Sequence, residues 1–388
     1  MNLRILHTVR SLRADTGGVA AAVRSLVKAQ AAAGQAVQVL SLDPTDPAQT
    51  EGAAVVRLGR AADGYGWSRG CVPWLRGHRR DFDAVVVHGL WQYQGLAAWR
   101  ALAGTGTPYV VYCHGMLDPW FKRAHPLKHA KKWLYWPWAE YRVLRDAAAV
   151  CFTAEEERRR ARESFWLSRA RERIAPLGIE TPPDDAGRQR EAFFSAHPAL
   201  RGKNFTLFLG RVHPKKAVEL LLGGHAEAWR GRPDAPALAV AGPVGDEGYA
   251  QWLRAEAERL GIAGQVTWLP MLAGEVKWGA LRACEAFALF SHQENFGVAV
   301  VEALACGKPV LISDQVAIHR EIAGDGAGFV APDTAVGAEE ALRRWRDSDA
   351  AARAAMGAAA AACFRRRYEI GRAAEALAAV IVEAKPRP

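Results

Sequence analysis

Residues 286–310 read Ala286-Phe-Ala-Leu-Phe-Ser291-His-Gln-Glu294-Asn-Phe-Gly297-Val-Ala-Val-Val-Glu302-Ala-Leu-Ala-Cys-Gly307-Lys-Pro-Val310. An unbroken apolar run, a polar loop, a short apolar stretch between two glycines and a second apolar run predict strand, loop, helix and strand. A strand without polar alternation is buried on both faces, and a helix joining two such strands implies a parallel sheet covered on both sides.

Working outward, the same alternation recurs. Short apolar runs predict strands at 3–9, 36–42, 84–88, 108–113 and 147–152, with helices between them over 19–33 and 95–102. A second series has strands at 204–209, 237–241, 265–269, 286–290, 309–312 and 328–330, followed by three helical stretches, the last near 371–383. Between the series lies Ile174-Ala-Pro-Leu-Gly-Ile-Glu-Thr-Pro-Pro183, whose prolines and glycine read as a hinge. The expected fold class is α/β, with two Rossmann-like domains, residues 1–180 and 181–369, facing across a cleft. Ligands of such sheets bind beyond the carboxyl ends of the strands.

Composition bounds the chemistry. The chain of 388 residues is long for one core and comfortable for two. Its six cysteines lack Cys-x-x-Cys or Cys/His ligand spacing, which predicts reduced thiols, a cytosolic setting and no metal centre. The first apolar run is broken by Arg4 and His7, so no signal peptide is expected, and no stretch reaches the ~18–20 apolar residues that cross a bilayer. The net charge of +10 concentrates between Asp118 and Arg145, where seven Lys/Arg meet two acids among Trp120, Trp133, Tyr135, Trp136 and Trp138. Cations interleaved with Trp and Tyr suit an anionic membrane surface, contacted through Lys128, Lys131 and Lys132; a helix packed by its aromatics is the equal alternative. No recognised nucleic-acid module accompanies the patch, so nucleic acid is not an expected partner.

Four motifs carry candidate chemistry. Glu294 precedes the short helix and Glu302 lies between one and two turns inside it, an offset of roughly 10 Å at about 1.5 Å per residue. That is too far for a shared proton, but about the reach of a sugar and a ribose joined by a diphosphate. The helix N-terminus between them, with its unpaired amides and positive dipole end, favours phosphate. The segment fits a nucleotide-sugar laid lengthwise; alone, it fits equally a buried helix with solvated ends. Thr16-Gly17-Gly18-Val19 follows the first strand and opens a helix, where paired glycines admit a diphosphate or simply make a tight turn. Gly210-Arg211-Val-His-Pro-Lys215-Lys216 joins a strand to a helix and offers a guanidinium and an ammonium to a departing diphosphate. His114 ends the strand 108–113 and is either a sugar contact or a polar loop residue; Trp91 and Tyr93, after His88, are either a sugar platform or core.

Gly17-Gly18, His114, Gly210-Arg211 with Lys216, and Glu294-x7-Glu302, in this order and spacing, resemble the retaining family-4 glycosyltransferases of GT-B fold (glycosyl transferases group 1) over nearly the whole chain. The resemblance implies roles by position. Glu302 holds the ribose hydroxyls, and Glu294 with the amides of Asn295, Phe296, Gly297 and Val298 contacts the donor sugar. Arg211, Lys216 and the Gly17-Gly18 turn hold the diphosphate, His114 reaches toward the sugar, and Pro270, Met271 and Leu272 flank the base. It further implies no metal or other cofactor, and a last helix, about 370–388, crossing back to the first domain. Ala217 stands where the family usually has glycine, and Phe290 where proline is common.

The expectation is therefore a retaining transferase using a GDP- or UDP-sugar. Its acceptor is expected to be a lipid-linked glycan of bacterial polysaccharide or lipopolysaccharide assembly, at the inner face of the cytoplasmic membrane. A soluble enzyme making a small-molecule glycoside, and a non-catalytic nucleotide-binding assembly protein, are the alternatives.

Overall fold

The computed structural model describes residues 2–13, 17–44, 51–59, 64–167 and 169–384; Thr16 of the glycine turn and the last four residues of the expected terminal helix lie outside them. The chain divides into two compact units, Met1–Glu180 with Arg367–Pro388, and Thr181–Arg366.

The first unit is built on seven parallel strands, β1 (Arg4–Val9), β2 (Ala36–Ser41), β3 (Ala54–Arg57), β4 (Ala84–His88), β5 (Tyr109–Tyr112), β6 (Ala149–Phe152) and β7 (Glu172–Ile174), in the order 3-2-1-4-5-6-7. The second has six, β8 (Phe205–Leu209), β9 (Ala237–Ala241), β10 (Val266–Leu269), β11 (Ala286–Leu289), β12 (Val310–Ser313) and β13 (Gly328–Ala331), in the order 10-9-8-11-12-13. The expected α/β class and parallel pairing are both present. Every residue of β4, β5, β8 and β11 is buried, as unbroken apolar runs require. Two strands were not foreseen. β3 and β7 are edge strands: β3 is a four-residue strand whose short apolar run is only partly buried, and the three-residue β7 carries Glu172 and Arg173, so neither has the long buried run that marks a central strand.

Each sheet grows outward from its first strand in one direction and then resumes on that strand's other side. The reversals fall between β1 and β4 and between β8 and β11. At such a point, the loops leaving the two strands part and leave a crevice at their carboxyl ends. The motifs singled out above leave these strands or a neighbour: Gly17-Gly18 after β1, His114 after β5 beside β4, Arg211 and Lys216 after β8, and Glu294 after β11.

The last helix, Ile370–Ala384, packs on the helix Gly18–Ala32 of the first unit. Its entry is tied by a parallel bridge of Ile179 to Glu369, where Gly178 is required: a Cβ there would lie 2.8 Å from the Ile370 Cα.

Candidate active site

In the second unit, the loop leaving β8 ends in a short turn, Pro214–Lys216, before the helix Val218–Ala228. Ala217 joins them in the left-handed conformation, φ 49° and ψ 49°. This is why glycine is usual here; alanine bears a strain of roughly 1–2 kcal/mol. The turn aims Lys216 at Glu294, and their side chains form an ion pair, each about 21% exposed. Arg211 is exposed, its stem lying over Gly245, where a Cβ would stand 2.6 Å from the Arg211 Cδ.

The loop carrying Glu294 is pinned from two sides. The Lys215 carbonyl accepts hydrogen bonds from the His292 amide (3.0 Å) and the Ser291 hydroxyl (2.9 Å). The Glu294 amide donates to the Gln315 carbonyl (3.2 Å), and its own carbonyl accepts from Ala317 (2.9 Å). Phe290, in the place where proline is common, fills the core behind this loop. Gly297, at φ 71°, caps the helix Val298–Ala305; a Cβ there would come within 3.3 Å of both the Val300 and Glu294 side chains. The opening-turn amides of this helix lack acceptors within it, so its N-terminus, beside Glu294 and Lys216, is a candidate anion site.

Glu302, one turn further in, is held by a residue that the sequence did not suggest. Lys277, on the helix Gly274–Ala283, donates to the Glu302 Oε1 at 2.6 Å, and its Nζ lies 4.2 Å from the centre of the Trp278 ring. The pair is largely enclosed. One carboxylate oxygen is thus committed, which fixes the direction in which the other faces. Pro270 and Met271 at the end of β10 are exposed, whereas Leu272 packs into the core, leaving only its main chain to meet a ligand.

Behind the Lys216 turn lies a charged brace. His292 sits 3.6 Å from the Glu219 carboxylate and 3.0 Å from that of Asp333. Pairing with Glu219, against the opposing effect of burial, and with Asp333 raises the imidazole pKa to about 9, so His292 is cationic at neutral pH. Burial pushes Glu219 upward, but hydrogen bonds with His292 and Tyr249 outweigh it and leave its pKa lowered.

In the first unit, Gly17 has φ 97° and Gly18 opens the helix Gly18–Ala32; a Cβ on either would meet nothing within 4 Å. Beside them a cavity of about 450 Å³ is lined by Arg10, Ser11, Arg13, Asp43, Gln92 and Met116. His114 is half-buried and left-handed at φ 49°, followed by Gly115 at φ 72°. A non-glycine residue in this region is held there by its surroundings. Here the buried Glu157 does so, accepting from the Gly115 amide (2.5 Å), the Thr153 amide (2.6 Å) and the Thr153 hydroxyl (2.7 Å). Burial lowers the His114 pKa to about 4, leaving the ring neutral.

The aromatic–basic segment splits into two parts. Trp136 is fully buried and stacks on Phe165 at 4.4 Å, with Trp91 packed against both, and Tyr93 is 6% exposed. Of the expected Trp91–Tyr93 sugar platform, Tyr93 is therefore core, on the helix that follows β4, whereas Trp91, in the loop before that helix, is half-buried against the same aromatics. Lys132 is half-buried: its Nζ lies 4.6 Å from the Trp91 ring centre, and burial lowers its pKa. Lys128 and Lys131 remain exposed. With them stand Leu127 (86% exposed) and Leu134 (77%) on the helix Pro126–Tyr135, and Trp138 (72%) just beyond. Leu127, Lys131 and Leu134, at i, i+4 and i+7, share one helix face. Among the described residues, no helix is long and apolar enough to cross a membrane, and no group of three His, Cys, Asp or Glu is placed to hold a metal.

Residues 189–363 match the family described as glycosyl transferases group 1, and residues 17–178 match the glycosyl transferase 4-like domain. The D-inositol 3-phosphate glycosyltransferase of Jonesia denitrificans is 25% identical over 345 residues, covering 82% of this chain and 80% of that protein. The protein of the same name from Rhodococcus erythropolis is 40% identical over 117 residues, 29% of this chain and 26% of that protein. Anabaena Alr3699/HepE, solved in complex with UDP and glucose, shares the fold with a TM-score of 0.73 at 16% identity, covering 98% of this chain and 100% of that one.

Proposed function

The chain belongs to the glycosyl transferases group 1, and from that premise we propose that it moves a sugar from a nucleoside diphosphate to an acceptor hydroxyl with retention at the anomeric carbon. The observation that carries this reading is the Lys216–Glu294 pair at the N-terminus of the helix Val298–Ala305, with Arg211 on the same loop that leaves β8. As the bond between anomeric carbon and phosphate oxygen breaks, charge accumulates on the leaving diphosphate. The Lys216 ammonium, the Arg211 guanidinium and the helix-end amides stand ready to neutralise it. The acceptor oxygen attacks on the same face and its proton passes to the departing diphosphate oxygen. Glu294 receives hydroxyls of the donor sugar, and Glu302 those of the ribose. The protein's own cations supply the charge that a divalent metal supplies elsewhere, so the proposed reaction needs none. UDP and GDP are the expected nucleotides; the complex of Alr3699/HepE with UDP and glucose supports the first.

The test is direct. Purified protein incubated in chelator with a panel of UDP- and GDP-sugars is expected to release the nucleoside diphosphate from one of them, slowly to water and faster with acceptor, giving a product of unchanged anomeric configuration. An inverted product, or no turnover of any donor, would refute the proposal.

For the acceptor, the exposed Leu127, Leu134 and Trp138 among Lys128 and Lys131 favour a lipid-linked glycan reached at an anionic surface, at the inner face of the cytoplasmic membrane. The cavity lined by Arg10 and Arg13, with relatives named for D-inositol 3-phosphate, favours instead a small anionic acceptor. Sedimentation with phosphatidylglycerol vesicles separates the two. Binding that is lost in Leu127→Asp/Leu134→Asp supports the first, and no binding by the unaltered protein leaves the second.

A further inference from the structure

Three imidazoles form a row across adjacent strands of the first unit: His7 in β1, His88 at the end of β4 and His114 just beyond β5. The His7 Nδ1 lies 2.9 Å from the His88 Nε2, and the His88 Nδ1 lies 3.0 Å from the His114 Nε2. At the inner end, the His7 Nε2 is 2.8 Å from the Gln30 side-chain amide. His7, His88 and Gln30 are all buried, and the free end of the Gln30 amide has no hydrogen-bond partner, so among the described residues His7 is the one group that the amide bonds. Five of the six ring nitrogens are thus bonded within the chain, leaving the His114 Nδ1 at its outer end.

Burial lowers the pKa of His7 and of His114 to about 4 and that of His88 well below its ordinary value, so all three rings are neutral near pH 7. A neutral imidazole has one N–H and one lone pair. Only two arrangements then satisfy every link. If the Gln30 oxygen faces His7, each ring carries its proton on Nε2 and the His114 Nδ1 presents a lone pair. If the Gln30 NH₂ faces His7, each ring carries its proton on Nδ1 and His114 presents an N–H. Any mixed state sets two lone pairs or two protons against each other in a buried, poorly screened site, which is costly.

We propose that His7, His88 and Gln30 are positioning residues for His114: a continuous hydrogen-bonded chain that makes the three imidazoles share one tautomer, and so decides whether His114 offers a substrate hydroxyl an acceptor or a donor. The substrate half rests on the transferase reading above; the shared tautomer does not.

Histidine-labelled whole protein, read by long-range ¹H–¹⁵N correlation between pH 6 and 8, reports the protonated nitrogen of each ring without any turnover. One common tautomer for His7, His88 and His114 is expected; different tautomers among the three would overturn the proposal. Gln30→Glu, read where the carboxylate is ionised and therefore only accepts, should lock all three as Nε2–H, and a neutral ring protonated on Nδ1 under that condition would likewise refute it. In transfer assays, His88→Phe should lower kcat by about tenfold, the scale of one lost hydrogen bond, with donor KM little changed. It should have no further effect in a His114→Ala background. An equal loss in both backgrounds would show a structural role alone. Should His88→Phe not fold, Gln30→Met cuts the chain at its other end and carries the same comparison.

Discussion

Lys216→Ala is expected to reduce kcat by roughly 10²–10³, the usual cost of removing one preorganised charge from an anionic transition state. The effect is placed on kcat because the diphosphate gains charge as the glycosidic phosphate bond breaks, so the ammonium matters more at the barrier than in the ground state. Removal has a second consequence at this site. Lys216 is the partner of Glu294, and without it that carboxylate stands uncompensated beside the helix end proposed to receive the diphosphate. Repulsion should therefore raise donor KM as well, and Glu294→Gln added to Lys216→Ala should recover part of the KM effect but little of kcat. The fold should survive, since a partly exposed ion pair contributes at most about 1 kcal/mol. Steady-state kinetics alongside a thermal melt check both halves. A kcat within threefold of the unaltered enzyme would remove Lys216 from the proposed mechanism.

Glu302→Ala should act on binding. A carboxylate accepting ribose hydroxyls contributes about 1.5–3 kcal/mol, or roughly 10–150-fold in affinity. Since the ribose is remote from the bond being broken, KM and the Kd for UDP or GDP should rise together while kcat changes little. Lys277 refines the expectation. It holds the Glu302 Oε1 at 2.6 Å and leaves the other oxygen for the ligand. Lys277→Met should therefore weaken nucleotide binding by a smaller factor, about three- to tenfold, through loss of orientation. Combined with Glu302→Ala it should add nothing, because its effect passes through the carboxylate. Calorimetric titration of the nucleoside diphosphate into the four proteins measures the cycle. A nucleotide affinity unchanged by Glu302→Ala would sink the ribose assignment.

Much of the architecture was legible before any coordinate was known. Unbroken apolar runs such as residues 84–87 and Ala237–Ala241 are buried on both faces of a sheet, and that burial is written directly in local composition. Edge strands escaped because one side of an edge meets solvent and tolerates Glu172 and Arg173. The polar motifs at the strand ends were legible for a related reason. A glycine turn or a basic pair leading into a helix has its chemistry within a few residues, so spacing alone states it.

What spacing could not state is which distant segments meet. Trp136 and Trp138 are two residues apart and equally aromatic, and a helical turn sends them to opposite sides, but only the packing around it decides that Trp136 stacks in the core and Trp138 faces solvent. Lys277 reaches Glu302, and His7 reaches His88 and through it His114, only once strand order has set their elements side by side. From its sequence alone, then, this protein is a parallel α/β chain carrying an ordered set of candidate phosphate- and sugar-binding motifs, since burial and helix-end chemistry are local properties. The partners that orient those groups, Lys277 for Glu302 and the buried imidazoles for His114, were decided by tertiary structure, since contact across a sheet depends on strand order rather than on distance along the chain.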